Sequence, residues 1–137
     1  MKILKKALIV LVVTGTIMIL GILYFFISNS YVMPWEHDEV QAITLKWGGL
    51  APLPNTVKHK SFEKKGSMFS RQFVLCFEFT SEDKLQQWIQ RSKRLKNNVP
   101  SVNKQIKTYR IYPGEEKSSG GTVTIEQRRV RISMSWS

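Results

Sequence analysis

The chain has 137 residues, 42% of them hydrophobic, and sets 21 lysines and arginines against 10 aspartates and glutamates, a formal charge of +11. Its single cysteine, Cys76, excludes an intramolecular disulfide framework, so the fold must rest on packing. No repeat and no long disordered tail is apparent in the composition, and the length suits one domain with one core.

In chain order, the first feature is the run Ala7 to Ile27, ALIVLVVTGTIMILGILYFFI, which has no charge and no proline. As an α-helix it would reach about 31 Å, the hydrocarbon thickness of a bilayer. Its leucines, isoleucines, valines and phenylalanines together favour insertion by about 4 to 8 kcal/mol. Lys2, Lys5 and Lys6 precede it, and Glu36, Asp38 and Glu39 follow. The positive-inside rule then predicts a cytoplasmic N-terminus, a single pass, and a C-terminal domain outside the cytoplasm. Tyr24, Phe25, Phe26, Tyr31 and Trp35 gather at the exit, where amphipathic rings favour the headgroup layer. The alternative is a cleaved secretory signal with Ser28-Asn29-Ser30 as the cleavage site. Signal cores usually run about 7–15 residues, so the length favours a retained signal anchor. The organisation expected is a basic cytoplasmic segment over 1–6, a transmembrane helix over 7–27, a juxtamembrane linker over 28–38 and an exported α+β domain over 39–137.

Without Lys2, Lys5 and Lys6 the remainder has 18 basic against 10 acidic residues, a charge of +8. Such a charge suits anionic lipid headgroups, an anionic envelope polymer or an acidic envelope protein, or serves solubility alone. Nucleic acid is not expected as a partner of an outward-facing domain.

Beyond the membrane, Val40, Ile43, Trp47 and Leu50 recur at helical spacing, with acids in front and Gly48-Gly49 as a stop. Ile43, Leu45 and Trp47 also alternate as a strand would, and the helix is preferred. Leu50 to Asn55, with Pro52 and Pro54, continues neither element and should be an extended connector. Thr56 to Glu63 reads as a strand and Lys64 to Ser67 as a hairpin turn. The next strand is the clearest, with Arg71, Phe73, Leu75, Phe77 and Phe79 on one side and Gln72, Val74, Cys76 and Glu78 on the other. Thr80-Ser81-Glu82-Asp83 opens a helix with a hydroxyl cap and acids in its first turn. Leu85, Trp88, Ile89 and Leu95 form its apolar face, and Arg91, Lys93, Arg94 and Lys96 suit its C-terminal end. Asn97 to Lys104 reads as a loop, Lys107 to Tyr112 as a strand, and Pro113 through Gly121 as a flexible hairpin loop. In the tail, Val123 and Ile125 are odd-numbered while Val130, Ile132, Met134 and Trp136 are even. A one-residue slip flips every side chain, so a turn is expected between Glu126 and Arg129. The fold class expected is α+β, a small antiparallel sheet with one main helix packed on one face.

The order Leu53-Pro54-x-x-Val57, an aromatic-rich strand, Ser81-Glu82-Asp83 with Trp88, a glycine-rich loop and a closing strand resembles small exported bacterial proteins of unassigned function. The resemblance covers most of residues 50–137 and implies an envelope location, with no activity attached.

A search for chemistry leaves no catalytic, cofactor-binding or metal-binding set to assign. His37 lies in an acidic stretch without a second histidine at ligand spacing. His59 alternates with lysines and reads as a surface residue. Cys76 reads as a buried packing residue, since a reactive thiol needs exposure and a thiolate-stabilising partner. Glu82 and Asp83 are explained by the helix start, which leaves Glu78 as the carboxylate for any acid–base role. The candidate binding surface is basic: Arg91, Lys93, Arg94 and Lys96 in one group, Arg128, Arg129 and Arg131 in another. The function expected is a non-enzymatic binding module of the envelope, of unknown oligomeric state. The rivals are a secreted protein cleaved near Ser30, or an enzyme acting on envelope polymer through Glu78 or His37.

Overall fold

A computed structural model of the chain describes residues 1–67, 69–114 and 118–137. It divides into two compact units, Met1–Tyr31 and Val32–Ser137. The first is a single helix, α1 (Lys2–Ser30), none of whose residues is buried. It is long and apolar enough to cross a membrane, a test that a signal sequence also passes. Thr14 and Thr16 return their hydroxyls to the carbonyls of Val10 and Val12 at 2.8 and 2.9 Å, which satisfies them within the helix.

Among the described residues, the second unit is α+β. A 3-10 turn (Pro34–Glu36) leads into α2 (His37–Trp47), then β1 (Lys58–Gly66), β2 (Arg71–Glu78), α3 (Glu82–Arg91), β3 (Ser101–Asn103), β4 (Ile106–Ile111), β5 (Ser118–Glu126) and β6 (Arg129–Trp136). The strands form one six-stranded sheet in the order β1-β2-β6-β5-β4-β3, with every pair antiparallel.

Residues 37–47 resolve as a helix, and Gly48-Gly49 ends it. Gly49 takes φ +57, and the Leu50 and Gly49 amides donate to the Leu45 and Lys46 carbonyls at 2.9 and 3.0 Å. A left-handed residue after the last turn is where glycine carries no Cβ penalty. In β2 the phenylalanine side enters one buried cluster: Phe73, Leu75, Phe77 and Phe79 with Val40, Leu45 and Trp47 of α2 and Leu85, Trp88 and Ile89 of α3. Trp47 stacks on Phe73 at 5.7 Å, and Trp88 meets Phe77 and Phe79 at 5.8 and 5.7 Å. Such large rings, removed from water, each contribute roughly 1.5–3 kcal/mol.

Ser81 caps α3, its hydroxyl accepting the Lys84 amide at 3.4 Å. The helix ends earlier than its charge pattern suggests. It stops at Arg91, and Leu95, although buried, lies in the turns that follow. The cause is Ser92, fully buried and extended at ψ 107. Its hydroxyl donates to the Trp88 carbonyl at 2.8 Å and accepts the Ala51 amide at 3.0 Å.

Three further boundaries differ from the sequence pattern. Lys64 to Gly66 belong to β1, and the turn falls at 67–70, where the Ser67 amide donates to the Ser70 carbonyl at 2.9 Å. The short segment Ser101–Asn103, expected to be part of a loop, is a strand, paired with β4 across a tight turn in which Lys104 takes φ 56. β5 begins at Ser118, so Gly120-Gly121 pair with Ser135 and Met134 rather than forming a loop. A Cβ on Gly121 would run into the Ser133 carbonyl. Residues 115–117 of the expected loop lie outside the described residues. The phase break is a two-residue turn, Gln127-Arg128, with Glu126 paired to Arg129 and Gln127 at φ 53.

Ser92→Ala should destabilise the domain by about 1–3 kcal/mol, because the buried Ala51 amide loses its acceptor. Urea unfolding of the detergent-solubilised chain, followed by tryptophan emission, measures this. A loss well under 0.5 kcal/mol, within the scatter of ordinary surface changes, would remove the role given to Ser92. A second outcome concerns Tyr109, whose phenol burial pushes above its ordinary value of 10.0. The folded state then keeps the proton to higher pH than the unfolded chain. Its contribution is full below about pH 10 and falls as pH rises toward the folded pKa. The stability difference between Tyr109→Phe and the native chain should therefore move in favour of the variant above about pH 10; a constant difference would contradict it.

Candidate binding surface

The strand alternation that fills the apolar cluster sends the other side chains of the sheet to the opposite face. Register places Glu63, Val74 and Ser133 in one row there, Ser61, Cys76, Arg131 and Thr124 in the next, and Lys58, Glu78, Arg129 and Glu126 at the end. Gln72 donates to the Ser133 hydroxyl at 2.7 Å across β2 and β6.

On this face lies a concavity of about 450 Å³, lined by His59, Cys76, Phe77, Glu78, Thr124, Glu126, Arg129, Val130 and Arg131. Its rim at β1 is an irregular stretch. Between Lys58, opposite Glu78, and Ser61, opposite Cys76, β1 carries one residue more than β2. His59 sits in this bulge at φ 54, a left-handed conformation uncommon for a side chain without a short polar cap. The bulge turns an edge strand at the mouth of the concavity, and so puts the imidazole on its lining.

The arginines are held loosely. Arg129 Nε lies 3.8 Å from Glu78 Oε2, and Arg128 Nη2 3.9 Å from Glu78 Oε1. Arg131 Nη1 lies 3.8 Å from both Glu63 Oε1 and the Cys76 sulfur. These nitrogen–oxygen distances exceed hydrogen-bond length, and exposed pairs of this kind contribute roughly 0–1 kcal/mol. A guanidinium carries five N–H donors, so a weak partner leaves donors for an anion.

The seven basic residues singled out in the sequence do not form one surface. Arg128, Arg129 and Arg131 belong to the β5–β6 hairpin and its polar face, although Arg128 is also structural, donating to the Thr80 carbonyl at 3.0 Å. Arg91, Lys93, Arg94 and Lys96 belong to the end of α3 and the turns after it. Arg91 lines a separate hollow with Pro52, Leu53, Pro54 and Trp88. Arg94 donates to the Tyr112 carbonyl and packs against Gly49, so it ties loops together. Lys93 and Lys96 are exposed.

His37 and Glu78, the two alternative acid–base candidates, are on opposite faces of the sheet. His37 begins α2 and stacks on Phe62 at 4.3 Å, and Phe62 packs against the apolar cluster. The histidine sharing a concavity with Glu78 is His59, exposed on β1 as its alternation with lysines suggested; its place in a bulge could not be read, because a bulge depends on the partner strand. Cys76 is half-buried beside Arg131, more accessible than a core residue would be. Among the described residues no group of three His, Cys, Asp or Glu suits a metal ion. No protein-family model, curated protein or solved structure matches the chain.

His59→Val should cost about 1–2 kcal/mol, since a β-branched residue is strained at positive φ, whereas His59→Gly should stay within about 0.5 kcal/mol of the native chain. Equal urea midpoints for the valine and native chains would show that β1 does not hold this bulge in solution.

Proposed function

We propose that the chain is a single-pass envelope protein, with its N-terminus in the cytoplasm and residues after Ser30 outside, whose basic domain binds an anionic envelope component and performs no catalysis. The observation that carries this reading is the joining of an unburied helix, whose apolar run follows three lysines in its first turns, to a compact domain of charge +8. In this reading α2 and α3 cover one face of the sheet, with α3 as the main helix. The other face is left to the partner, an acidic envelope protein or an anionic polymer.

Within the basic surface the weight falls on Arg129 and Arg131, which flank one concavity and whose ion-pair partners among the described residues, the half-buried Glu78 and Glu63, lie 3.8 Å away. Arg94 and Arg128 carry structural hydrogen bonds and are secondary. A cleaved form beginning near Tyr31 is the second reading, supported by the position of α1 at the N-terminus. It changes the tether and leaves the binding face as it is.

The test uses the detergent-solubilised chain and two labelled probes, poly(glycerol phosphate) and poly-glutamate, in fluorescence anisotropy. Arg129→Gln with Arg131→Gln should weaken binding of at least one probe by about tenfold, the loss of one or two charge-assisted contacts, without moving the urea midpoint. Native affinity in a folded double variant, or no binding of either probe by the native chain, would overturn the anionic-partner reading.

A further inference from the structure

We propose that one end of the sheet is a bilayer-contact surface, carried by Trp35, Phe69, Tyr112 and Trp136. The proposal rests on the reading of α1 as a membrane anchor.

Antiparallel pairing collects the ends of distant strands at one place. Gly66 is paired with Arg71, Arg71 with Trp136, and Trp136 with Ser118, while Ile111 is paired with Gly121 in the next ladder. The turn holding Phe69, the C-terminal Trp136 and the exit of β4 at Tyr112 therefore share an end of the sheet. Phe69, Tyr112 and Trp136 are 83%, 68% and 36% exposed. The chain enters the domain at this end as well. Glu36 pairs with Lys64 at 3.9 Å and shares a hollow with Arg71 and Trp136, which places Trp35, 72% exposed, beside it. Lys65, paired with Glu63 at 3.3 Å, and Arg71 are both exposed here, with Glu36 and Glu39 in the same hollow as Arg71.

Among the described residues, the opposite end exposes no aromatic ring. Its exposed side chains are Lys58, His59, Asn103, Lys104, Gln105, Glu126, Gln127, Arg128 and Arg129, with Val102 one residue in from the turn. Exposed rings gathered at one end, beside polar groups, are what marks an interaction surface rather than scattered surface residues. Tryptophan, tyrosine and phenylalanine beside lysine and arginine are the side chains that partition to an anionic headgroup layer. The occupant must be within reach of the residue where the domain begins, which a bilayer surface meets for an anchored chain.

The test is site-directed spin labelling of the full chain, reconstituted into vesicles of phosphatidylcholine and phosphatidylglycerol. Single cysteines are introduced by Phe69→Cys, Tyr112→Cys and Gln127→Cys on a Cys76→Ala background, all three at exposed positions. Labels at 69 and 112 should collide severalfold more with oxygen, relative to a soluble nickel complex, than the label at 127. Equal, water-like values at the three sites would overturn the proposal. So would spin–spin broadening at 69 with shielding from both reagents, because a second copy would then cover this end. Carbonate extraction of the same samples reports the anchor separately: protein released from the vesicles breaks the anchor reading, while retained protein with a water-like label at 69 breaks only this one.

Discussion

The fold of the domain turns on how one buried peptide group, Ala51, is satisfied. It lies in a connector whose prolines keep it out of any helix or strand ladder, and it is buried. Its amide donates to the Ser92 hydroxyl at 3.0 Å, and its carbonyl accepts the Trp88 indole N–H at 2.9 Å. Ser92 in turn donates to the Trp88 carbonyl at 2.8 Å. Both backbone groups of one loop residue are thus met by a single helix, which is the completeness that buried backbone demands. The same three contacts orient α3, bring the Trp88 ring to Phe77 and Phe79, and end the helix one turn early. Apolar burial supplies most of the energy here, but it has no direction. The Ala51 contacts give it one.

Once the phenylalanine side of β2 is committed to the cluster, alternation commits the other side to polarity. A shift of one residue between β2 and β6 would bury Arg131 and expose Ile132, so the register is fixed by the core. That register alone sets Cys76 against Arg131 and Glu78 against Arg129. The geometry of the candidate binding face is therefore a by-product of packing on the far side of the sheet. Val74 belongs to this face yet is buried, between Glu63 and Ser133 in the ladder, which shows that long side chains there lie over the sheet rather than away from it.

What was legible in the sequence follows from range. Periodicity is local, so β2, β6, the turn before Arg129 and the opening of α3 at Ser81 could all be read directly. The helical spacing of Val40 and Trp47 likewise pointed to α2. β3 was illegible because Ser101-Val102-Asn103 is too short to carry a period and is a strand only through its pairing with β4. The end of α3 was illegible because lysines and arginines after Arg91 look like a helix terminus, whereas a serine bonded to a residue 41 positions away decides it. His59 was legible as a surface residue, but its bulge was not, for a similar reason: an extra residue in a strand exists only relative to its partner. Clustering in sequence also proved a poor guide to clustering in space. Arg94 holds a carbonyl of the β4 exit while its neighbours face water, and Arg128 holds Thr80 while Arg129 and Arg131 flank the concavity.

An antiparallel sheet has a further polarity that no single strand displays, along its length rather than between its faces. Every second turn returns to the same end, so residues far apart in sequence are gathered there: the entry segment, the β1–β2 turn, the β4 exit and the C-terminus at one end, the β5–β6 and β3–β4 turns at the other. The tight two-residue turns, with Lys104 and Gln127 at positive φ, are at the end without exposed rings, where polar side chains suit both the conformation and the solvent. The looser turn at 67–70 is closed by Ser67 and Ser70 and carries Phe69 at its tip, where a ring is tolerated because the backbone is satisfied by serine hydroxyls and carbonyls. Turn chemistry thus keeps exposed rings away from the end with the tight, positive-φ turns, and does so independently of the face polarity set by the core. Two axes of polarity, one across the sheet and one along it, give a small domain separate places for a core, a charged face and an apolar end.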